Sequence, residues 1–313
     1  MQNLIFTLHV VAPDFLIVLL GLILRLWNKI DDSFAQATTS LVFSVCLPAL
    51  VFLSLYSVDL GTLLNLRLIL FGYFGYFFCF GLSWLVAYKI EKNTNRGAFI
   101  QGAFRSNYTI IGVALTLNLF GPTGLQKGAI ALAAIIPLSN VLSVLALTLP
   151  THRENKITPT LLASNILLNP LVIASVAAII FSAYHWTIPA LFVKVGNSLA
   201  ALAMPLALLA IGGSLHMERL KQDWKIALSA TGIKLIVGPL LLTLLAVYLG
   251  FRGQDLGIAF LLFATPTAVS SFIMAKAMGN NSRLAGNIVL MTTLGSVVTL
   301  AIGIFMLKSF GLI

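Results

Sequence analysis

Charge is what this sequence has least of. Only 9% of its 313 residues are Asp, Glu, Lys or Arg, against about 25% in soluble domains. With 59% hydrophobic residues and a mean hydropathy of +1.02, the chain belongs in a bilayer. Acidic residues are the scarcer sign, nine in all. Asp14 and Asp59 sit near the outer ends of apolar runs and nothing acidic lies deep, so a proton relay through a buried carboxylate is hard to build. There are two cysteines, Cys46 and Cys79, both inside apolar runs; buried free thiols are expected, not a disulfide framework. The four histidines (His9, His152, His185 and His216) fall near the ends of apolar runs without metal-ligand spacing. No H-E-x-x-H, G-x-S-x-G or Walker-type loop occurs, which argues against enzyme activity and against ATP-driven transport within this chain. No cofactor and no metal are expected. No stretch is long or polar enough for a separate soluble domain, and without a basic region before the first apolar run no cleaved signal peptide is expected.

Long apolar runs are what the chain does have, each near the roughly 20 residues that cross a bilayer. Ten spans are read, at 10–27, 36–57, 66–88, 98–120, 126–149, 160–183, 188–214, 225–250, 255–279 and 284–308. The alternating short segments of a β-barrel are missing. The net charge of +10 invites a nucleic-acid reading, but the basic residues are scattered over short loops, as membrane topology requires. One side holds Arg25, Lys29, Lys89, Lys92, Arg96, Arg153, Lys156, Arg219, Lys221, Lys225 and Arg283. The other holds Arg67, Lys127, Lys194, Arg252 and Lys308. That bias puts the first set in the cytoplasm and both termini outside it. Arg105, Lys234 and Lys276 fall within spans and are not counted.

The proline pattern carries an internal repeat. Pro13 and Pro170 open spans one and six; Pro48 and Pro205 lie within spans two and seven; both pairs are offset by 157 residues. Halves of five spans each must have opposite orientations, so residues 1–150 and 157–313 read as two inverted five-helix repeats. This is the organisation of secondary transporters, whose sites lie at discontinuous helices near the midplane. The discontinuity is written in span nine, F-A-T-P-T-A-V-S-S at 263–271, where Pro266 must break or kink the helix. Freed backbone groups at that depth are tolerated only where protein buries them or a wet cavity reaches them. The repeat offset carries Pro266 back to Thr109, within R-S-N-Y-T-I-I-G of span four.

The candidate substrate-binding residues follow from these two breaks. Each second half-helix would present unpaired N–H groups, an anion site. Asn107 adds an amide; Tyr108, Thr109, Thr265, Thr267, Ser270 and Ser271 add hydroxyls; Pro266 makes the break. Interhelical hydrogen bonding is the plainer reading for any one hydroxyl. Lys234, some ten residues into span eight, either attracts an anionic substrate or snorkels to the cytoplasmic face. Arg105 and Lys276 lie near the cytoplasmic ends of spans four and nine, where the positive-inside bias accounts for them almost as well as a substrate does. Thr292, Thr293, Ser296 and Thr299 in span ten offer sodium ligands, without a decisive sign.

These segments resemble a known family. L-V-F-S-V-C-L-P-A-L-V-F (41–52), N-P-L-V-I (169–173), M-P-L-A-L-L-A-I-G-G-S-L (204–215), A-T-P-T-A-V-S-S-F-I-M-A-K (264–276) and T-T-L-G-S-V-V-T (292–299) are similar to the auxin efflux carrier family in its bacterial, malate-permease-like form. The resemblance implies an all-α integral membrane protein of ten helices, with helices four and nine crossing where they unwind. It also implies transport of an organic acid, with Asn107 contacting substrate and Pro266 at the crossover. One departure stands out. The family's helix-four motif runs N-x-G-F-x-G-x-P, whereas this chain has N-Y-T-I-I-G-V-A, with Thr109 for a glycine and Ala114 for the proline. Substrate identity therefore does not carry over. Members often form homodimers, and no homodimer interface is legible here.

The expectation is thus a carrier of a small organic anion, a mono- or dicarboxylate, in the cell's inner (plasma) membrane. Its partners are that anion and the lipid bilayer, with no nucleic acid. An ion-coupled carrier of a neutral or amino-acid-like solute is the alternative, and an anion channel, which would need a continuous polar pore, comes after it.

Overall fold

The computed structural model describes residues 13, 16–56, 65–90, 93–150, 163–164, 166–214 and 223–313. Among these residues the regular elements are helices, joined by one isolated β-bridge. In chain order they are α1 (Leu16–Leu26), α2 (Ser33–Tyr56), α3 (Leu66–Ala87), α4 (Asn93–Phe104), α5 (Val113–Thr148), α6 (Pro170–Ala183), α7 (Ala190–Gly213), α8 (Trp224–Tyr248), α9 (Gly253–Ala264), α10 (Ser270–Ala277) and α11 (Ser282–Ser309). Of these, α2, α3, α5, α7, α8 and α11 are long and apolar enough to cross a membrane. The protein is an all-helical, multi-pass membrane protein.

Local chemistry sets where helices start. Asn65, Asn169 and Asn281 accept from the backbone N–H of Leu68, Leu171 and Leu284, each satisfying one of the orphan donors of a helix N-terminus. Pro170 then occupies the first position of α6, where its missing N–H costs nothing. Spans four and five of the sequence reading meet inside α5. There Gly121 adopts φ 66° and ψ −163°, a conformation that glycine takes without steric cost. Span four itself is α4, a three-residue break, a π-helical turn at Tyr108–Gly112 and the first part of α5. Span nine is α9 and α10 with a break between them.

The helices sort into two groups. In one, α2 packs on α6 and α7, and α1 lies so close to α7 that a Cβ on Gly21 would fall 2.6 Å from the Leu209 carbonyl oxygen. Backbones approach like this where small residues face each other in membranes. The other group is α3, α4, α5 and α8 to α11; the two meet where α5 packs on α6 and α10 packs on α2 and α7. Leu85, Leu191, Phe192, Leu244 and Phe305 are exposed around the outside, the surface a lipid environment requires.

The segments around Pro13 and Asp14, Asp59, and the loop residues Lys92, Arg153, Lys156, Arg219 and Lys221 include positions outside the described residues.

Candidate functional site

Two breaks in the helices lie against each other, and the second has a proline to explain it. Thr265 ends α9 with ψ 150°, because a residue before proline is driven out of the helical region. The first break, Arg105 to Asn107, contains neither proline nor glycine. It is held open by its partner: Asn107 N–H donates to the Pro266 carbonyl at 2.8 Å and Ala268 N–H to the Arg105 carbonyl at 3.3 Å. Ser106 and Thr267 thus form the isolated antiparallel bridge.

Neighbouring side chains take up the groups that remain. The Thr267 hydroxyl donates to the Gly102 carbonyl at 2.6 Å, and Thr267 N–H donates to the Thr292 hydroxyl at 3.1 Å. Ser106 and Thr265 hydroxyls bond each other. Lys234 Nζ donates to the Phe263 carbonyl at 2.7 Å, an orphan acceptor in the last turn of α9 and the negative end of its dipole. Lys234 therefore does not snorkel; it caps a helix that stops inside the protein. Tyr108 is also buried, its hydroxyl 2.9 Å from that of Thr116.

Beside the paired breaks lies a cavity of about 70 Å³, measured as space open to the centre of a water molecule. It is bounded by Tyr76 half-way along α3 and by residues in the C-terminal halves of α2 and α7. Its polar wall comes from the break and from α5: Arg105, Ser106, Asn107 and Thr109, then Ser139 and Asn140, with Tyr76 of α3 and Ser270 of α10. Tyr76 is set by aromatic neighbours, its ring 6.2 Å from Phe104 and edge-on to it. The opposite wall, from α2, α6 and α7, is apolar: Leu47, Leu50, Val51, Leu171, Met204 and Ala207.

Arg105 is the charged group of this cavity. It is 6% exposed, and its guanidinium donates to Asn140 Oδ1 at 2.9 Å, Ser143 Oγ at 2.9 Å and Met274 Sδ at 2.6 Å. All three acceptors are neutral, and a thioether is a weak one. No carboxylate is among the residues lining the cavity. Asn107 is 5% exposed, lines the cavity and makes no side-chain hydrogen bond to another described residue. Asn140 also reaches across the seam, its Nδ2 donating to Ser175 Oγ of α6 at 3.1 Å.

Of the residues singled out from sequence, Asn107, Thr109 and Ser270 border the cavity. Tyr108, Thr265, Pro266, Thr267 and Lys234 are not among its lining and build the break behind it. Sequence reasoning set Arg105 near the end of a span; the structure puts it in the break itself, at the cavity. It also passed over Ser139, Asn140 and Ser143. A signal for these was present, since S-N-V-L-S follows Pro137 inside an otherwise apolar span. Among the described residues no three His, Cys, Asp or Glu side chains cluster to hold a metal ion.

A family profile described as membrane transport protein matches residues 6–160 and again 153–304. An "Uncharacterized transporter" of Methanothermobacter thermautotrophicus is 23% identical over 91% of this chain and 93% of its own. The "Uncharacterized transporter YfdV" of Escherichia coli is 26% identical over 94% of this chain and 95% of its own. A Rhizobium meliloti protein named "Putative malonate transporter" is 25% identical over 96% of this chain and 95% of its own.

Proposed function

Because the chain belongs to the membrane transport protein family, the auxin efflux carriers that its motifs resemble, we propose that it is a secondary carrier of a small organic anion. The anion, a mono- or dicarboxylate, binds in the cavity beside the paired breaks and crosses by alternating access. On this reading the ten spans form two inverted five-helix repeats, and the broken helices of spans four and nine cross. The protein sits in the inner (plasma) membrane with both termini outside the cytoplasm. The two helix groups move against each other to expose the cavity to either side.

Arg105 carries the reading. A cation at membrane depth costs roughly 2.5–3.5 kcal/mol on the insertion scale and marks a substrate pathway by default. Its three neutral partners leave that cost uncompensated by any opposite charge, and a carboxylate arriving in the cavity would be the missing counter-ion. Asn107 is placed to add an amide hydrogen bond, and Thr109 and Ser270 hydroxyls. The name of the Rhizobium relative, a transporter of an organic anion, points the same way.

Counterflow into malate-loaded proteoliposomes, with carboxylates, amino acids and indole acids offered outside, tests the proposal. Saturable exchange of one anion class is expected. Truncating one partner of a buried charge pair costs about 2–5 kcal/mol, so Arg105→Gln is expected to lose at least about tenfold in apparent affinity while still inserting normally. Asn107→Ala is expected to weaken binding less. Full exchange in Arg105→Gln would remove the anion from the reading.

A further inference from the structure

We infer that the anion this cavity takes is a short aliphatic monocarboxylate, its carboxylate on Arg105 and Asn107 and its hydrocarbon end against α2 and α7. The inference rests on the carrier reading above and narrows it.

The polarity of the cavity is one-sided. Arg105 is its one cationic lining residue. The two other basic residues of these spans are turned elsewhere: Lys234 bonds the Phe263 carbonyl, and Lys276 lies 6.0 Å over the Phe272 ring. The lining that α2 and α7 contribute is Leu47, Leu50, Val51, Ser54, Ala203, Met204 and Ala207. Ser54 brings a hydroxyl to that wall, but it donates to the Leu50 carbonyl at 2.6 Å within its own helix. A second carboxylate on the ligand would thus be pressed against apolar side chains with no counter-charge, and desolvating an unpaired carboxylate is among the largest costs in a protein interior. A methyl or methylene there gains instead.

Size sets the other limit. A water needs about 10–15 Å³ of such space, so the cavity of about 70 Å³ holds on the order of half a dozen non-hydrogen atoms. Butyrate fits that room.

The test uses purified full-length protein at pH 8, where these acids are ionised. Acetate, propionate, butyrate, malonate and succinate are compared twice: by thermal stabilisation in detergent, which reads binding without turnover, and by competition for counterflow in proteoliposomes. Affinity is expected to rise about fourfold per methylene from acetate to butyrate, the equivalent of one buried CH₂. Malonate and succinate are expected to bind at least tenfold more weakly than butyrate. Met204→Lys, which adds a cation to the apolar wall, is expected to shift the succinate-to-butyrate ratio by tenfold or more toward succinate. Malonate or succinate binding as well as butyrate, or no dependence on chain length, overturns the inference and leaves the carrier reading standing. Binding in the expected order without exchange supports the specificity and sinks the carrier. No binding and no exchange of any anion by folded protein overturns both.

Discussion

At the scale of single residues, the polar groups near the two breaks divide by what they face. Arg105 and Asn107 border the cavity, while Thr267 and Lys234 spend their donors on the Gly102 and Phe263 carbonyls. The difference is measurable. Thr267→Val keeps the shape but leaves the buried Gly102 carbonyl without that donor, which costs about 1–3 kcal/mol. A lower thermal midpoint with unchanged anion affinity is expected; a loss of affinity at unchanged stability would return Thr267 to the binding surface. Arg105→Gln is expected to do the reverse, weakening binding more than it weakens the fold.

Helices obey a different constraint, how close two backbones come. Where α1 meets α7, a Cβ on Gly212 would strike the Val18 carbonyl oxygen and come within 2.8 Å of Leu22 N. Both obstacles are backbone and cannot rotate aside. Gly212→Ala must therefore push the helices apart, and overpacking of this kind costs about 1–3 kcal/mol. The expected result is a lower midpoint of thermal unfolding in detergent, and a variant as stable as the parent would show that the pair is less tight. The start of α2 adds a pH-dependent contribution. Backbone N–H of Phe34 and then the Ser33 hydroxyl hold the Asp31 carboxyl below its usual range. A depressed carboxylate stabilises above its unfolded value, about 3.9, and that contribution is lost as pH falls through the folded one. Near neutral pH the cap is fully formed.

For the whole molecule, the seam between the two helix groups matters most on the proposed carrier reading, which requires them to part. Asn140 spans it, accepting from Arg105 on one side and donating to Ser175 on the other. An anion drawn to Arg105 competes with Asn140 for the guanidinium, so occupancy of the cavity and the hold across the seam are linked. Removing the far partner, Ser175→Ala, is expected to free the empty carrier to reorient. Net efflux into anion-free buffer should rise severalfold relative to exchange, with apparent affinity unchanged. An unaltered ratio would mean that Asn140 only braces Arg105.

From its sequence alone the protein is legible as a polytopic membrane transport protein. The scarcity of charge dictates the bilayer, the family motifs recur along nearly the whole chain, and Pro266 marks one break because its geometry forbids the residue before it from staying helical. The other break has no such marker. With Thr109 and Ala114 in place of the glycine and proline of the motif it resembles, residues 105–107 leave the helix because the Pro266 carbonyl and the Ala268 N–H pair with them, a partnership between residues more than a hundred and fifty apart. Contacts between different helices also decided the roles of the two buried cations. A lysine and an arginine within apolar spans look alike as letters. Only the folded chain sets Lys234 against an orphan carbonyl and leaves Arg105 facing a cavity with no negative charge of its own.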